Sequence, residues 1–358
     1  MSKGTICITG ATGYVGFATL LEALRNDYNC RIVVRSDSKA TVIKTAPAFL
    51  ELNKSSACSF YTVPDLSAPG ALDEAIKGVD YVIHMASPLP FGGEVPPEEQ
   101  YNKYVVPALT CTLAALESAS KSPSVKRVVI TSSVGSYIMP DVLLGPDQPS
   151  LLTITEEDVN EDIPAPFSHP LTAYCASKTA AMRRSLEWMA ERKPSFDLVN
   201  IAPSYVQGRH GLAQNMADLT ASSTVLFIRM FAGLAKNADA PPEVAAVCHI
   251  DDAASVHVRA LDRNTVPGNQ SYLFSQHYNW NDVLPVVAAK YPEQVKAGLL
   301  PNDSNVPSKK VRFSAEKGQR TFGIKLKGIE EMVDSIVPQY LEMLEKEKKL
   351  EKATAVAV

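Results

Sequence analysis

Apolar positions in the first two-thirds of the chain fall into two alternating patterns. Short runs rich in Val, Ile, Tyr or Cys lie at 5–9, 31–35, 58–63, 80–84, 126–132 and 196–201. Each has the continuous apolar character of a strand covered on both faces. Longer helical stretches lie between them, at 14–25, 70–77, 98–120 and 172–192. This alternation predicts an α/β fold built on a doubly wound parallel sheet. After Ile201 the pattern loosens and predicts a strand at 244–250, a helix at 252–262, a strand at 271–275 and a helix from about 281 to 291. Proline and polar clusters at 140–170, 236–242 and 301–308 read as loops or excursions. A helical tail at 328–352 becomes charged towards its end and reads as a solvated helix terminus.

The first strand runs into Thr9-Gly10-Ala11-Thr12-Gly13-Tyr14-Val15-Gly16. Strand, glycine turn and helix in this order let backbone N–H groups and a helix N-terminus hold a pyrophosphate. A side chain at Gly10 or Gly13 would keep the backbone from the phosphates, and Gly16 lets the helix approach the strand. The organisation expected is a Rossmann dinucleotide domain over 1–203, with a return at 244–265. A smaller C-terminal substrate lobe takes 204–243 and 266–345, with 137–170 as a pocket-lining excursion and 346–358 as a charged tail.

The end of the second strand selects the dinucleotide. It carries Arg35, with Lys39 in the following turn, where a ribose-binding carboxylate would stand for NAD. A guanidinium pairs with a 2′-phosphate and stacks on adenine, so NADPH is favoured over NADH. Asp37 is the rival: aimed at the ribose, it would fit NADH. Asp65 and Leu66, after the third strand, are candidates to meet the adenine.

Strand 126–132 ends in Thr131-Ser132-Ser133, where hydroxyls at a carboxyl end of a parallel sheet should face the ligand. Tyr174 and Lys178 follow, four apart on one face of a predicted helix. An ammonium beside the phenol would favour its ionised form and bring a tyrosine closer to use as an acid–base group. The Tyr-x-x-x-Lys spacing alone is weak. In order behind a glycine turn and a Ser-Ser strand end, it is specific.

Bulk properties narrow the partners. The net charge of −4 argues against a nucleic-acid binder, and no apolar run reaches the ~18 residues of a membrane span. The chain enters its first strand too early for a secretory leader, and Ala-Val-Ala-Val at the end is no lipidation or peroxisomal signal. Six cysteines, all singly spaced, read as free thiols of a reducing compartment, and a cytoplasmic location is expected. No HExxH or Cys/His cluster points to a metal. A monomer or homodimer is expected.

The motifs together resemble an extended short-chain dehydrogenase/reductase. They are most similar to the branch of dihydroflavonol reductases, cinnamoyl-CoA reductases and fungal aldehyde/methylglyoxal reductases. The likeness extends through Asp80 to Pro88, Ala202 to Gly208 and His249 to Ala254. The resemblance implies that Tyr174 protonates the carbonyl oxygen and that Ser133 hydrogen-bonds it. Lys178 would hold the nicotinamide ribose and lower the tyrosine pKa. Ala86, Ser87 and Pro88 would line the nicotinamide, backbone near Val206 would meet its carboxamide, and Pro203 is a further cofactor-binding candidate. Phe91, Ser133, Ile138, Leu171 and Tyr205 are the expected substrate pocket, for a small-molecule aldehyde or ketone. One position departs from the family: Thr110 stands where an asparagine helps hold a relay water near the lysine. A nucleotide-sugar epimerase or dehydratase of the same fold, and a non-catalytic NADPH-binding regulator, are the alternatives.

Overall fold

The computed structural model describes residues 2–87, 95–235 and 239–356, with side chains to 350. Twelve strands occur among them: β1 (Thr5–Thr9), β2 (Asn29–Val34), β3 (Cys58–Thr62), β4 (Tyr81–His84), β5 (Arg127–Thr131), β6 (Leu152–Ile154), β7 (Asp197–Pro203), β8 (Tyr205–Gln207), β9 (Ala246–His249), β10 (Gln270–Phe274), β11 (Gln276–His277) and β12 (Val311–Phe313). Seven form one parallel sheet in the order β10-β7-β5-β4-β1-β2-β3. The order reverses at β1, so the carboxyl ends of β1 and β4 flank the crevice where such sheets bind ligands.

The sheet is covered on both faces because its strands are apolar at successive positions. Ile6 and Ile8 pack with Phe17, Leu20 and Val256 on one side, under helices Tyr14–Arg25 and Ile250–Arg259. Cys7 points the other way, towards Ala115, Leu116 and Trp188 of helices Val106–Ser120 and Pro170–Arg192. The period-two alternation of a strand therefore feeds two cores. Arg127 crosses the lower end of the sheet, 1% exposed. It donates to both carboxylate oxygens of Asp197 (2.5 and 3.0 Å) and to the Ala260 and Val266 carbonyls.

Two elements differ from expectation. The strand expected at 244–250 forms as β9, but it leaves the main sheet and joins β8 and β11 in a three-stranded one. The seventh strand of the main sheet is instead β10, parallel to β7, so the lobe boundary at 266 cuts through the sheet. Both runs are buried and apolar, and apolarity does not say which edge a strand joins. The expected helix at 98–120 is broken: Tyr101–Val105 is a π-helical turn, and the α-helix begins at Val106 with Pro107 in its first turn. Within the 140–170 excursion, β6 pairs with β12. Lys309, 2% exposed, ties the excursion down by donating to the carbonyls of Val142, Gly145 and Pro146.

A further core gathers Phe227, Phe231, Trp280, Val283, Met332 and Ile336 from the later part of the chain. It closes on the C-terminal helix Ile329–Val356. No helix among the described residues is long and apolar enough to cross a membrane.

Candidate active site

The glycine turn is shaped by contacts that exclude side chains. Gly10 has φ +78°, and a Cβ there would lie 2.7 Å from the Ala86 nitrogen. At Gly16 it would lie 2.1 Å from the Gly10 carbonyl oxygen. Gly13 is exposed and meets nothing closer than that same oxygen at 3.3 Å. Helix Tyr14–Arg25 starts from Gly13 with no acidic residue in its first turn. Its first N–H groups lack intrahelical partners by construction, so the turn presents donors and a positive dipole end. Thr12 and Val15 are half-buried beside it, and Val15 also packs on the core. Tyr14 turns away: its hydroxyl donates to the Gly208 carbonyl at 2.9 Å, and its ring stacks on His210.

Beyond β2, Arg35 and Lys39 are exposed cations. Asp37, the rival, accepts from the Thr62 hydroxyl at 2.9 Å, which draws its carboxylate to the end of β3. Asp65 accepts from the N–H and hydroxyl of Ser67. These bonds hold its carboxyl below the usual range, and the Arg35 charge adds to the effect. Leu66 packs on the Cys7 side of the sheet. The donor set thus fits a phosphorylated dinucleotide: an open glycine cradle, two exposed cations, and the Asp37 carboxylate engaged with Thr62.

Tyr174 and Lys178 lie on helix Pro170–Arg192, whose N-cap His169 accepts from the Leu171 N–H. The Lys178 ammonium is 6.0 Å from the centre of the Tyr174 ring and donates to the Thr131 carbonyl at 3.2 Å. Ser133 accepts from the Gly135 N–H at 3.1 Å. A Cβ on Gly135 would meet Tyr174 Cε1 at 3.3 Å, Cys175 Sγ at 3.4 Å and Ser133 Oγ at 3.4 Å. The missing side chain is what lets phenol and hydroxyl close up.

The electrostatics correct one expectation. The Tyr174 phenol is pushed up to about 12, chiefly by burial, while a hydrogen bond with the Ser133 side chain pulls the other way. Lys178 is brought down to about 8, again by burial. Desolvation dominates both shifts, so the phenol keeps its proton at neutral pH.

The other expected residues divide. Ala86 and Ser87 follow β4 beside Gly10, and the Ala86 N–H donates to Thr9 Oγ1. Thr131 meets the cluster through its carbonyl; its hydroxyl is turned to His257 Nε2 at 2.8 Å. Ser132 faces Ser136 and the Met182 sulfur. Pro203 ends β7, and the Val206 carbonyl accepts from the Ser223 hydroxyl at 2.6 Å. Tyr205 stands near enough to Tyr174, Glu243 and Arg229 to feel their charge. Leu171 is half-buried one turn before Tyr174. Ile138 does not face an opening: it is 2% exposed in a core with Tyr137, Ile154, Met182 and Val311. The Asn160 amide pins that turn inward by donating to the Gly135 and Ile138 carbonyls. Thr110 donates to the Val106 and Pro107 carbonyls, so its hydroxyl proton stays within its own helix. Pro88 and Phe91 lie outside the described residues.

Sequence reasoning passed over His84. It ends β4, 2% exposed, with Nδ1 3.0 Å from Thr9 Oγ1. Burial, with the Lys178 charge in addition, brings it down to about 4. An imidazole closing the apolar run Val82-Ile83 at a strand's carboxyl end was the available signal.

The sequence profile of the NAD dependent epimerase/dehydratase family matches residues 6–274. Ketoreductase CTB6 of Cercospora beticola is 35% identical over 362 residues, covering 99% of each chain. Aldehyde reductase 2 of Sporidiobolus salmonicolor is 30% identical over 312 residues, covering 85% of this chain and 86% of that protein. Among solved structures, yeast methylglyoxal/isovaleraldehyde reductase Gre2, complexed with NADPH, superposes with a TM-score of 0.76 at 23% identity, over 95% of this chain and 99% of that one. The site's geometry and these matches agree: the chain belongs to the NAD dependent epimerase/dehydratase family, within the extended short-chain dehydrogenases/reductases.

Proposed function

We propose that the protein is an NADPH-dependent carbonyl reductase that converts a small aldehyde or ketone to an alcohol. The observation that carries this reading is the meeting of Ser133 and Tyr174 at Gly135, with the Lys178 ammonium 6.0 Å from the Tyr174 ring, at the carboxyl end of a sheet whose first turn is a glycine cradle. The names of its relatives, ketoreductase and aldehyde reductase, agree with it. NADPH, when bound, supplies the hydride for the carbonyl carbon. Gly10, Thr12, Gly13 and the first turn Tyr14 to Gly16 would hold its pyrophosphate. Arg35 and Lys39 would hold the 2′-phosphate, with Asp65 and Leu66 beside the adenine. Ala86, Ser87, Pro203 and Val206 would lie along the nicotinamide end, and Lys178 would reach the ribose.

The chain's own residues then handle one proton. Ser133 donates a hydrogen bond to the carbonyl oxygen and orients it. Tyr174 gives that oxygen its proton as negative charge develops there. A phenol raised to about 12 is fully protonated at neutral pH, the form a reduction needs. The Lys178 ammonium stabilises the phenolate left behind. Leu171 and Tyr205 would flank the substrate in front of Tyr174, under a substrate lobe drawn from residues 204–235 and the later C-terminal segments.

The test is Tyr174→Phe with NADPH and a panel of aldehydes, diketones and keto esters. The expected result is a loss of roughly 10²–10⁴-fold in turnover with NADPH binding kept. Near-parent turnover would overturn the assignment. Turnover without stoichiometric loss of added NADPH would favour an epimerase or dehydratase.

A further inference from the structure

A cavity of about 10 Å³ lies behind Lys178, between the ends of β4 and β5 and the helices Val106–Ser120 and Pro170–Arg192. His84, Thr112, Ser132, Lys178 and Ala181 are in its lining, and Ala86 and Ser87 border it on the side of the glycine cradle. That is close to the smallest space that holds one water. His84 Nε2 is buried and has no hydrogen-bond partner among the described residues.

The hydrogen bonds around His84 fix its tautomer. Thr9 Oγ1 accepts from the Met85 and Ala86 N–H groups, both at 3.2 Å, which occupies its two lone pairs. Its own proton is then left for His84 Nδ1 at 3.0 Å. Nδ1 accepts, so the neutral ring carries its proton on Nε2, as a donor. Lys178 has donors only. Two donors therefore meet at a space of one water, and a water can accept from both. Thr131 and Ser132, also in the lining, offer oxygens for the water's protons.

We propose that His84 is a positioning residue of this site: its Nε2–H anchors a buried water that accepts from the Lys178 ammonium and keeps the lysine charged next to Tyr174. This rests on the reading of Lys178 as the ammonium that serves Tyr174. The titratable groups facing Lys178 are Tyr174 from its own helix, His84 from β4 and Cys111 from helix Val106–Ser120. Burial holds the Cys111 thiol up at about 11 and the imidazole down at about 4, so both are neutral at pH 7. Lys178 then has no fixed counter-charge among these groups, and the held water joins the Thr131 carbonyl in solvating the ammonium against loss of a proton.

The experiment titrates Lys178 directly, by ¹⁵Nζ resonance in the protein without coenzyme, with the signal assigned by its loss in Lys178→Met. His84→Leu removes the anchor. Ala181→Val fills the cavity from the opposite wall and leaves His84 in place. A hydrogen bond to a charged group is worth roughly one pKa unit or more. Both variants should lower the lysine pKa by about that amount, and His84→Gln, whose amide N–H reaches the position of Nε2, should restore it. With isovaleraldehyde as the probe substrate, the alkaline limb of NADPH oxidation should move down by the same amount with KM unchanged. An unmoved titration in Ala181→Val overturns the water, and one in His84→Leu overturns the histidine's part. If His84→Leu fails to fold, Ala181→Val decides alone. The titration needs no turnover, so a failure of the reductase reading, seen in Tyr174→Phe, is distinguishable from a failure here.

Discussion

Replacing Gly16 by alanine sets two effects of known size against each other. Alanine is favoured over glycine in a helix interior by ~1 kcal/mol, so an unconstrained site would gain stability. Here the new Cβ would lie 2.1 Å from the Gly10 oxygen, 2.7 Å from the Gly10 carbonyl carbon and 3.0 Å from Ala11 Cα. All three are backbone atoms, and none can rotate away. Relief needs the helix start to retreat by roughly 1.3 Å or more to reach ordinary contact. Overpacking of this kind costs ~1–3 kcal/mol, and the retreat also opens the cradle. The expected result is a lower urea midpoint and weaker NADPH binding by fluorescence titration. Gly13→Ala is the control: it is exposed, has an ordinary φ, and its Cβ would meet only the Gly10 oxygen at 3.3 Å. Its midpoint should stay within ~0.5 kcal/mol of the parent, while NADPH binding weakens. A Gly16→Ala midpoint at or above the parent would refute the claim that the helix is seated on the turn by that missing side chain.

Further outcomes are expected elsewhere. Arg35→Asp should shift coenzyme preference towards NADH in paired kcat/KM measurements; an unchanged ratio would remove the 2′-phosphate role. Asp197→Ala leaves the Arg127 guanidinium buried without its carboxylate. It should cost about 3–5 kcal/mol in chemical denaturation. Thr110→Val should leave turnover near the parent value, because among the described residues that hydroxyl donates to carbonyls of its own helix. His84 and His257 are both held neutral by burial, at about 4. The unfolded chain binds protons there first, near pH 6.5, so stability is present above that pH and lost as pH falls from 6.5 towards 4. Each contributes about 3 kcal/mol at the limit. Urea midpoints at pH 7.5 and 5 measure the slope, and a flat profile would contradict it.

The parallel sheet was legible because its central strands carry runs of consecutive apolar residues, such as Ile6 to Ile8, Val82-Ile83 and Val128 to Ile130, and a short segment of that kind can be buried only where both of its faces are covered. The glycine turn and the Tyr174–Lys178 pair were legible because their chemistry depends on spacing within a single element. What sequence did not show depends on partners far away in the chain. Whether β9 or β10 completes the sheet turns on edge pairing, to which local hydropathy is blind. The inward turn of Ile138 is imposed by Asn160, 22 residues on. The raised Tyr174 phenol follows from desolvation, which a motif does not encode, whereas the attraction of its lysine neighbour could be read from the spacing. Short polar helices such as Asp37–Lys44 carry too few apolar residues to register as periodic.

The tie from Tyr14 to Gly208 and His210 has a practical consequence for engineering. The first residue of the helix behind the cradle is fastened to a loop that the Gln339 side chain holds from the C-terminal helix, accepting from the His210 N–H and donating to its carbonyl. Halves exchanged between related enzymes would part these three segments from one another. A chimera that carries Tyr14, the 208–210 loop and Gln339 over from one parent should express as a functional protein, whereas a cut at the apparent boundary near residue 203 should not.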